Sequence, residues 1–332
     1  MKGLLFIGDP HVSSRRPGRR VDDYCTSVLE KLRVVGELAR EHDFVPVILG
    51  DLFHIAGEND LSTLSRLTAV FKGYPAPPVV VGGNHDKKEK TLKDADALHL
   101  LAVSGTVEVV DGECREVHRY DFEGTNVALW VAPYGAKVPD KIESDADVVV
   151  LVTHADYAFV GAYPNAKPIT EIKGCDFVVN GHMHKTAPSV RAGTTVWHNP
   201  GNIEPVSVDC IDHVPAVWSW EVGQPLDEIR PHVLPHVRDC FDLTGLMVPA
   251  ATKADAVKAM IPQGASHFAE LLSAKSKMEA DKSDDNSSFI EELKAALKQL
   301  QAPKPVETLL LALEAGVPLD ELGAEPSTET ER

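Results

Sequence analysis

A layered α/β domain is the fold the sequence predicts, and two observations predict it. Its apolar runs are continuous, rich in β-branched residues and of strand length, as in strands covered on both faces. The first two are separated by residues at the three-four spacing of an amphipathic helix, and strand, helix, strand builds a layered sheet. The runs are Leu4–Ile7, Val45–Leu49, Val79–Val81, Val148–Val152 and Phe177–Val179. The helical face carries Val21, Tyr24, Cys25, Val28, Leu29, Leu32, Val35 and Leu38. Thr195–His198 and Ala216–Trp220 read as further strands, with the turn-rich Asn199-Pro200-Gly201-Asn202 after the first. Around Pro225 to Pro235 the composition changes. Beyond it the pattern predicts a helical stretch over Ala254–Met278 and a polar linker over Ala280–Ser288. An amphipathic helix carrying Phe289, Leu293, Ala296 and Leu300 follows, then a short apolar helix over Val306–Ala315 and a solvated tail from Gly323.

Composition bounds the function. The 332 residues, 43% hydrophobic and 25% charged, suffice for one large core with an appendage. Lys plus Arg number 33 against 50 Asp plus Glu, a net charge of -17, which opposes binding DNA or membrane through bulk positive charge. A nucleic-acid partner would need a local basic patch or bound metal ions. The five cysteines are scattered with no C-x-x-C pair, so neither a disulfide framework nor a zinc ribbon is indicated and a reducing compartment is expected. Only four apolar residues precede Gly8-Asp9, too few for a signal-peptide core, and no apolar run reaches membrane-spanning length. The expectation is a soluble cytoplasmic protein without a membrane partner.

Each of the five principal runs ends in residues that ligate metals: Gly8-Asp9-Pro10-His11, Gly50-Asp51-Leu52-Phe53-His54, Gly82-Gly83-Asn84-His85-Asp86, Thr153-His154 and Asn180-Gly181-His182-Met183-His184. Ligands in open α/β sheets sit outside the carboxyl ends of the strands, so the five segments are expected to converge. Carboxylate, imidazole and amide oxygen together suit Mn²⁺, Fe²⁺ or Zn²⁺ better than an all-oxygen shell would. There are enough ligands for two ions, and two ions about 3.5–4 Å apart form a clamp for in-line attack on phosphorus.

Asp-x-His, Gly-Asp, Gly-Asn-His-Asp, His and Gly-His-x-His in this order resemble the calcineurin-like metallophosphoesterase superfamily over roughly residues 1 to 222. His54, three residues past Asp51, is similar to the SbcD-type DNA exonuclease branch, as are Trp130-Val131-Ala132-Pro133-Tyr134 and the Asn199–Glu204 segment. The resemblance implies a four-layered α/β sandwich, two facing mixed sheets flanked by helices, with a small C-terminal cap and helices. It implies that Asp9, His11, Asp51 and His184 hold one metal, and that Asp51 bridges to a second held by Asn84, His154 and His182. His85 would be the proton donor to the leaving oxygen, Asp86 its orienting partner, and His54 a neighbour of the scissile phosphate. It implies manganese, with iron, zinc or magnesium as alternatives, DNA as substrate and a coiled-coil ATPase of the SbcC type as partner. Gly8, Pro10 and Val12-Ser13 depart from the family's usual neighbours of the first ligands without removing one.

Structural readings stand beside these. His54 would equally pack beside Phe53, and Asp86 would equally cap a following helix. The remaining histidines read as surface or packing residues, His198 alone being near enough in sequence to a ligand loop to approach the site. Arg15, Arg16, Arg19 and Arg20, and Lys87, Lys88, Lys90 and Lys93, flank two ligand loops and read equally as a solvated face or a phosphate-receiving rim. The domain reading is a nuclease domain over 1–224, a cap-like region over 225–282 and a helical segment with a disordered tail over 283–332, whose apolar stripe suits equally a partner's coiled coil, a second copy of the chain or packing on this chain's own cap. The expected activity is that of a metal-dependent DNA nuclease in repair or replication. The rival is a phosphoesterase acting on a phosphomonoester, cyclic nucleotide or nucleotide sugar, since one metal core serves all of these.

Overall fold

The computed structural model describes residues 1–160, 165–236 and 240–244. Its elements are β1 (Gly3–Ile7), α1 (Tyr24–Glu41), β2 (Phe44–Ile48), α2 (Leu61–Lys72), β3 (Val79–Val81), α3 (Ala97–Val103), β4 (Glu108–Val110), β5 (Arg115–Phe122), β6 (Thr125–Ala132), β7 (Val148–His154), β8 (Phe177–Gly181), β9 (Ala187–Ala192), β10 (Thr195–Asn199), β11 (Ala216–Glu221) and β12 (Arg230–Val233). They form two six-stranded mixed sheets, ordered β12-β11-β1-β2-β3-β4 and β5-β6-β7-β8-β10-β9. The parallel strands β1, β2 and β3 lie at the centre of the first sheet, and β6, β7, β8 and β10 run parallel in the second.

Both faces of these strands are buried, which is why their sequences are continuously apolar. Leu4, Phe6, Val47, Leu49 and Val81 of the first sheet meet Leu129, Val131, Val150, Val152 and Val179 of the second in the core between the sheets. On its other face the first sheet packs Leu5, Ile7, Ile48 and Val80 against Val28, Leu32 and Val35 of α1, Leu67 and Phe71 of α2 and Leu98 of α3. The outer face of the second sheet, with Leu151, Val178 and Trp197, is covered by Ile142, Tyr157, Phe159 and Ile172. Among the described residues this fourth layer is irregular chain, not helix. Helix starts follow local chemistry: Asp23 accepts from the Thr26 N–H ahead of α1, and Asp60 from the Thr63 N–H ahead of α2.

Strand β12 lies past position 224 yet pairs with β11, and the first compact unit runs Met1–Asp242. Residues 225–242, which the composition change groups with the cap-like region, therefore include a sheet edge. The second unit is Leu243–Arg332. The helices expected over Ala254–Met278 and Val306–Ala315, the stripe Phe289, Leu293, Ala296 and Leu300, and the tail lie outside the described residues. No helix among the described residues is long and apolar enough to cross a membrane. The five cysteines are free.

Candidate active site

Asp9, Asp51 and Asn84 sit just past the carboxyl ends of three neighbouring strands of the first sheet, and His154 and His182 at the ends of two neighbouring strands of the second. The loops are held against one another by main-chain bonds. His11 N–H donates to the Asp51 carbonyl (2.9 Å), Val12 N–H to that of Leu52 (2.7 Å) and His54 N–H to that of Val12 (3.0 Å). Six described non-glycine residues have positive φ, and four of them are Asp9 (30°), His11 (47°), Asp51 (45°) and His182 (73°). A left-handed turn of a non-glycine residue costs about 1–3 kcal/mol and persists where the surroundings over-determine it. Here it turns each side chain inward within one to four residues of a strand end. Gly83 lets the loops approach closely, since a Cβ there would lie 2.1 Å from Asp51 Oδ1.

Two triads result: Asp9, His11 and His184, and Asp51, His154 and His182. In the first, His11 Nε2 and His184 Nε2 face each other at 2.9 Å, and His184 Nε2 lies 3.8 Å from Asp9 Oδ2. In the second, His154 Nδ1 is 2.8 Å from the Leu49 carbonyl and donates its proton there, so Nε2 is the ring nitrogen that faces inward. That atom lies 3.2 Å from Asp51 Oδ2, 3.2 Å from His182 Nδ1 and 3.2 Å from Asn84 Oδ1. Asp51 joins the triads. Its Oδ1 accepts from the His85 N–H (2.8 Å), while Oδ2 faces His154 and also His11 Nε2 at 3.9 Å.

The donor set fits divalent cations. Asp9 is 1% exposed, yet neither of its carboxylate oxygens has a hydrogen-bond partner. Such a group is costly unless a cation satisfies it. Burial lowers His11 well below the ordinary imidazole value and His184 to about 4, which keeps both as neutral ligands at neutral pH. Burial pushes Asp9 up to about 7. Burial opposes ionisation of Asp51 too, but His154 and His11 outweigh it and hold its carboxyl below the usual range. His154 is pushed to about 9 by Asp51 and Asp9 against the effect of its own burial. Without a cation the site thus balances the Asp51 carboxylate with a protonated His154, the positive charge that a bound cation would replace.

A third group, His11, His54 and His85, adjoins the first triad. The His54 and His85 rings stack at 5.6 Å and 24°, so His54 belongs to the site wall. His85 Nδ1 is 2.7 Å from the His54 carbonyl, which fixes the ring. The orienting role expected of Asp86 passes to that carbonyl. Asp86 is buried, and its oxygens accept from the Phe53 N–H (2.9 Å) and the Gly83 N–H (3.0 Å), tying two ligand loops together. It caps no helix.

Other expectations change with the structure. His198 is structural, bonded to Ser189 Oγ (2.7 Å) and facing the Leu226 carbonyl (2.9 Å). Arg20 is buried against Glu204 (2.6 Å) and Asp22 (2.7 Å), and Lys87 pairs with Asp111 (2.5 Å), so neither serves as an open phosphate contact. Three groups support the site through contacts that the local sequence does not show. Asp156 Oδ1 lies 3.2 Å from His182 Nε2, Tyr24 donates to the His11 carbonyl (2.8 Å), and Asn199 Nδ2 donates to the carbonyls of Met183 (3.0 Å) and Lys185 (2.8 Å). Each acts across a long sequence separation, so only the fold reveals it.

The profile of one protein family, described as calcineurin-like phosphoesterase, matches residues 3–186. Similar solved structures include a hypothetical protein from Thermus thermophilus, at 15% identity and TM-score 0.40 over 69% of this chain and 98% of that one. Another is a 5'-nucleotidase precursor from the same organism, at 11% identity and TM-score 0.39 over 70% of this chain and 54% of that one. No curated protein sequence matches the chain.

Proposed function

Because the chain belongs to the calcineurin-like phosphoesterase family, and so is a metal-dependent phosphoesterase, we propose that it cleaves DNA phosphodiesters as an SbcD-type nuclease. One observation carries the finer reading: His54 stands in the site wall against His85, where a residue beside a scissile phosphate would stand. The ligands are Asp9, His11, Asp51 and His184 for one cation and Asp51, Asn84, His154 and His182 for the other. Two such cations would neutralise charge developing on phosphorus and lower the pKa of an attacking water. The protein's own contribution is positional. With its Nδ1 proton on the His54 carbonyl, His85 carries the proton for the departing sugar oxygen on Nε2. Asp86 fixes the two loops that bear Asp51 and Asn84. The same reading gives the chain manganese and an SbcC-type coiled-coil ATPase, or a second copy of itself, on its C-terminal stripe.

Mn²⁺-dependent hydrolysis of duplex DNA, single-stranded DNA and a chromogenic phosphomonoester tests this directly. DNA should be the preferred substrate by kcat/KM. Turnover confined to the phosphomonoester would replace the nuclease reading with that of a phosphatase.

A further inference from the structure

Beside Asn84 the surface opens into a recess of about 570 Å³, within the range of sites that hold a small molecule or one unit of a larger one. The loop after Asn84 lines it with Lys88 and Lys90, and Tyr134 lines it as well. Two of the loop's four lysines are occupied elsewhere, Lys87 by Asp111 and Lys93 by Glu89 at 3.6 Å. That leaves Lys88 and Lys90, both exposed and without an ion pair among the described residues. Glu89 also lines the recess, but its charge is offset by Lys93. Lys88 is near the opposite ligand loop as well, for a Cβ added at Gly57 would lie 3.0 Å from its Nζ. The tyrosine is fixed by its backbone, its N–H donating to the Gly82 carbonyl (2.9 Å), and its ring centroid lies 5.7 Å from that of His182. It is nevertheless 40% exposed. In a chain of net charge -17, two uncompensated ammonium groups beside an anion-cleaving site are a local reversal of sign.

We propose that this recess seats the nucleotide next to the scissile phosphate in a nucleic-acid strand, its phosphate between Lys88 and Lys90 and its base on the Tyr134 ring. The proposal rests on the phosphodiesterase reading above and adds how the strand is gripped. The cations supply a contact that any phosphate satisfies, and the ring supplies one that only a base satisfies. The two halves are therefore separable.

The test compares the wild type, a Lys88→Ala/Lys90→Ala double variant and Tyr134→Ala, with Mn²⁺, on three phosphodiesters. These are oligothymidylate, an abasic oligomer of equal length and bis(p-nitrophenyl) phosphate. The double variant should lower kcat/KM about 10-fold or more on both oligomers, chiefly through KM, relative to its effect on bis(p-nitrophenyl) phosphate. Tyr134→Ala should lower it about 5- to 100-fold on oligothymidylate, the loss of one base stack, relative to the abasic oligomer. Equal factors on all three substrates would overturn the recess and leave the phosphodiesterase reading standing. Wild-type protein that hydrolyses none of the three would overturn the phosphodiesterase reading. In that case fluorescence anisotropy of labelled oligothymidylate with Ca²⁺ decides the recess, since unchanged binding by the double variant overturns it and weakened binding supports it.

Discussion

At the scale of single residues, Asp51 has the most to do. One oxygen is fixed by the His85 N–H, and the other faces ligand atoms of both triads. Asp51→Asn keeps the shape but halves the acceptor capacity toward the cations. It should reduce bound metal, measured by elemental analysis, from two equivalents to below one and cut turnover by about 10²–10³-fold or more. His11→Ala should instead lose metal chiefly from one site. His85 is separable from binding. His85→Asn should keep both metals yet lose about 10²–10⁴ in rate on DNA, and clearly less on a nitrophenyl phosphodiester whose leaving group needs no proton. Equal losses on the two substrates would remove His85 from proton donation. The residues meeting here were legible in the sequence because each follows an apolar run closely, and strand ends of one sheet face the same way. Asp86 was legible as a site residue but not in its role, because Phe53 lies 33 positions away, and Asp156 was not legible at all, because His182 lies 26 positions away.

At the scale of elements, the ligand loops are short left-handed turns braced from outside, and Lys87 is such a brace. It bonds Asp111 and the Tyr134 carbonyl (3.2 Å), and Asp111 also accepts from the Leu92 N–H (2.8 Å). Burial alone would raise the Asp111 pKa, but Lys87 and the Leu92 N–H outweigh it and hold the carboxyl below its ordinary value. A depressed carboxylate stabilises the fold above its unfolded pKa of about 4 and loses that contribution as the pH falls through the folded value. Lys87→Met should therefore lower Tm at neutral pH, by a difference that shrinks as the pH falls below about 4. A constant difference across that range would assign the effect to packing. The same arithmetic explains what the sequence obscured: a lysine run reads as one charged face, whereas half of it is spent on internal pairs. Polar edge strands were hidden for a related reason. β5 and β9 bury little and alternate weakly, so the hairpin joining β5 to β6 is marked chiefly by Glu123 (φ 53°) and Gly124 (φ 87°). The central strands needed no such signal.

At the scale of the molecule, the question is where the catalytic body ends. A composition change near residue 225 marks one boundary, but three features carry the first unit past it. β12 pairs with β11, Val21 N–H donates to the Cys240 carbonyl (2.9 Å), and the Arg20 guanidinium lies 5.4 Å from the Phe241 ring centroid. Arg20 in turn holds Glu204, and Glu204 pairs with Lys31 of α1. The segment it belongs to also reaches the first ligand loop, since Ile203 N–H donates to the Gly8 carbonyl (2.9 Å). Removing Cys240 and Phe241 would thus uncover one side of the ion cluster that backs the Asp9 turn and delete the cation–π contact to Arg20, a loss of about 0.5–2 kcal/mol. A chain ending at residue 244 should unfold cooperatively, keep two equivalents of metal and hydrolyse bis(p-nitrophenyl) phosphate at the full-length rate. A chain ending at residue 224 should melt lower and bind metal weakly. Calorimetry and metal content of the two truncations decide between the boundaries. Equal stability would mean that β12 and the Arg20–Phe241 contact contribute nothing, and a 244-residue chain that fails to fold would make the last 88 residues part of the same cooperative unit.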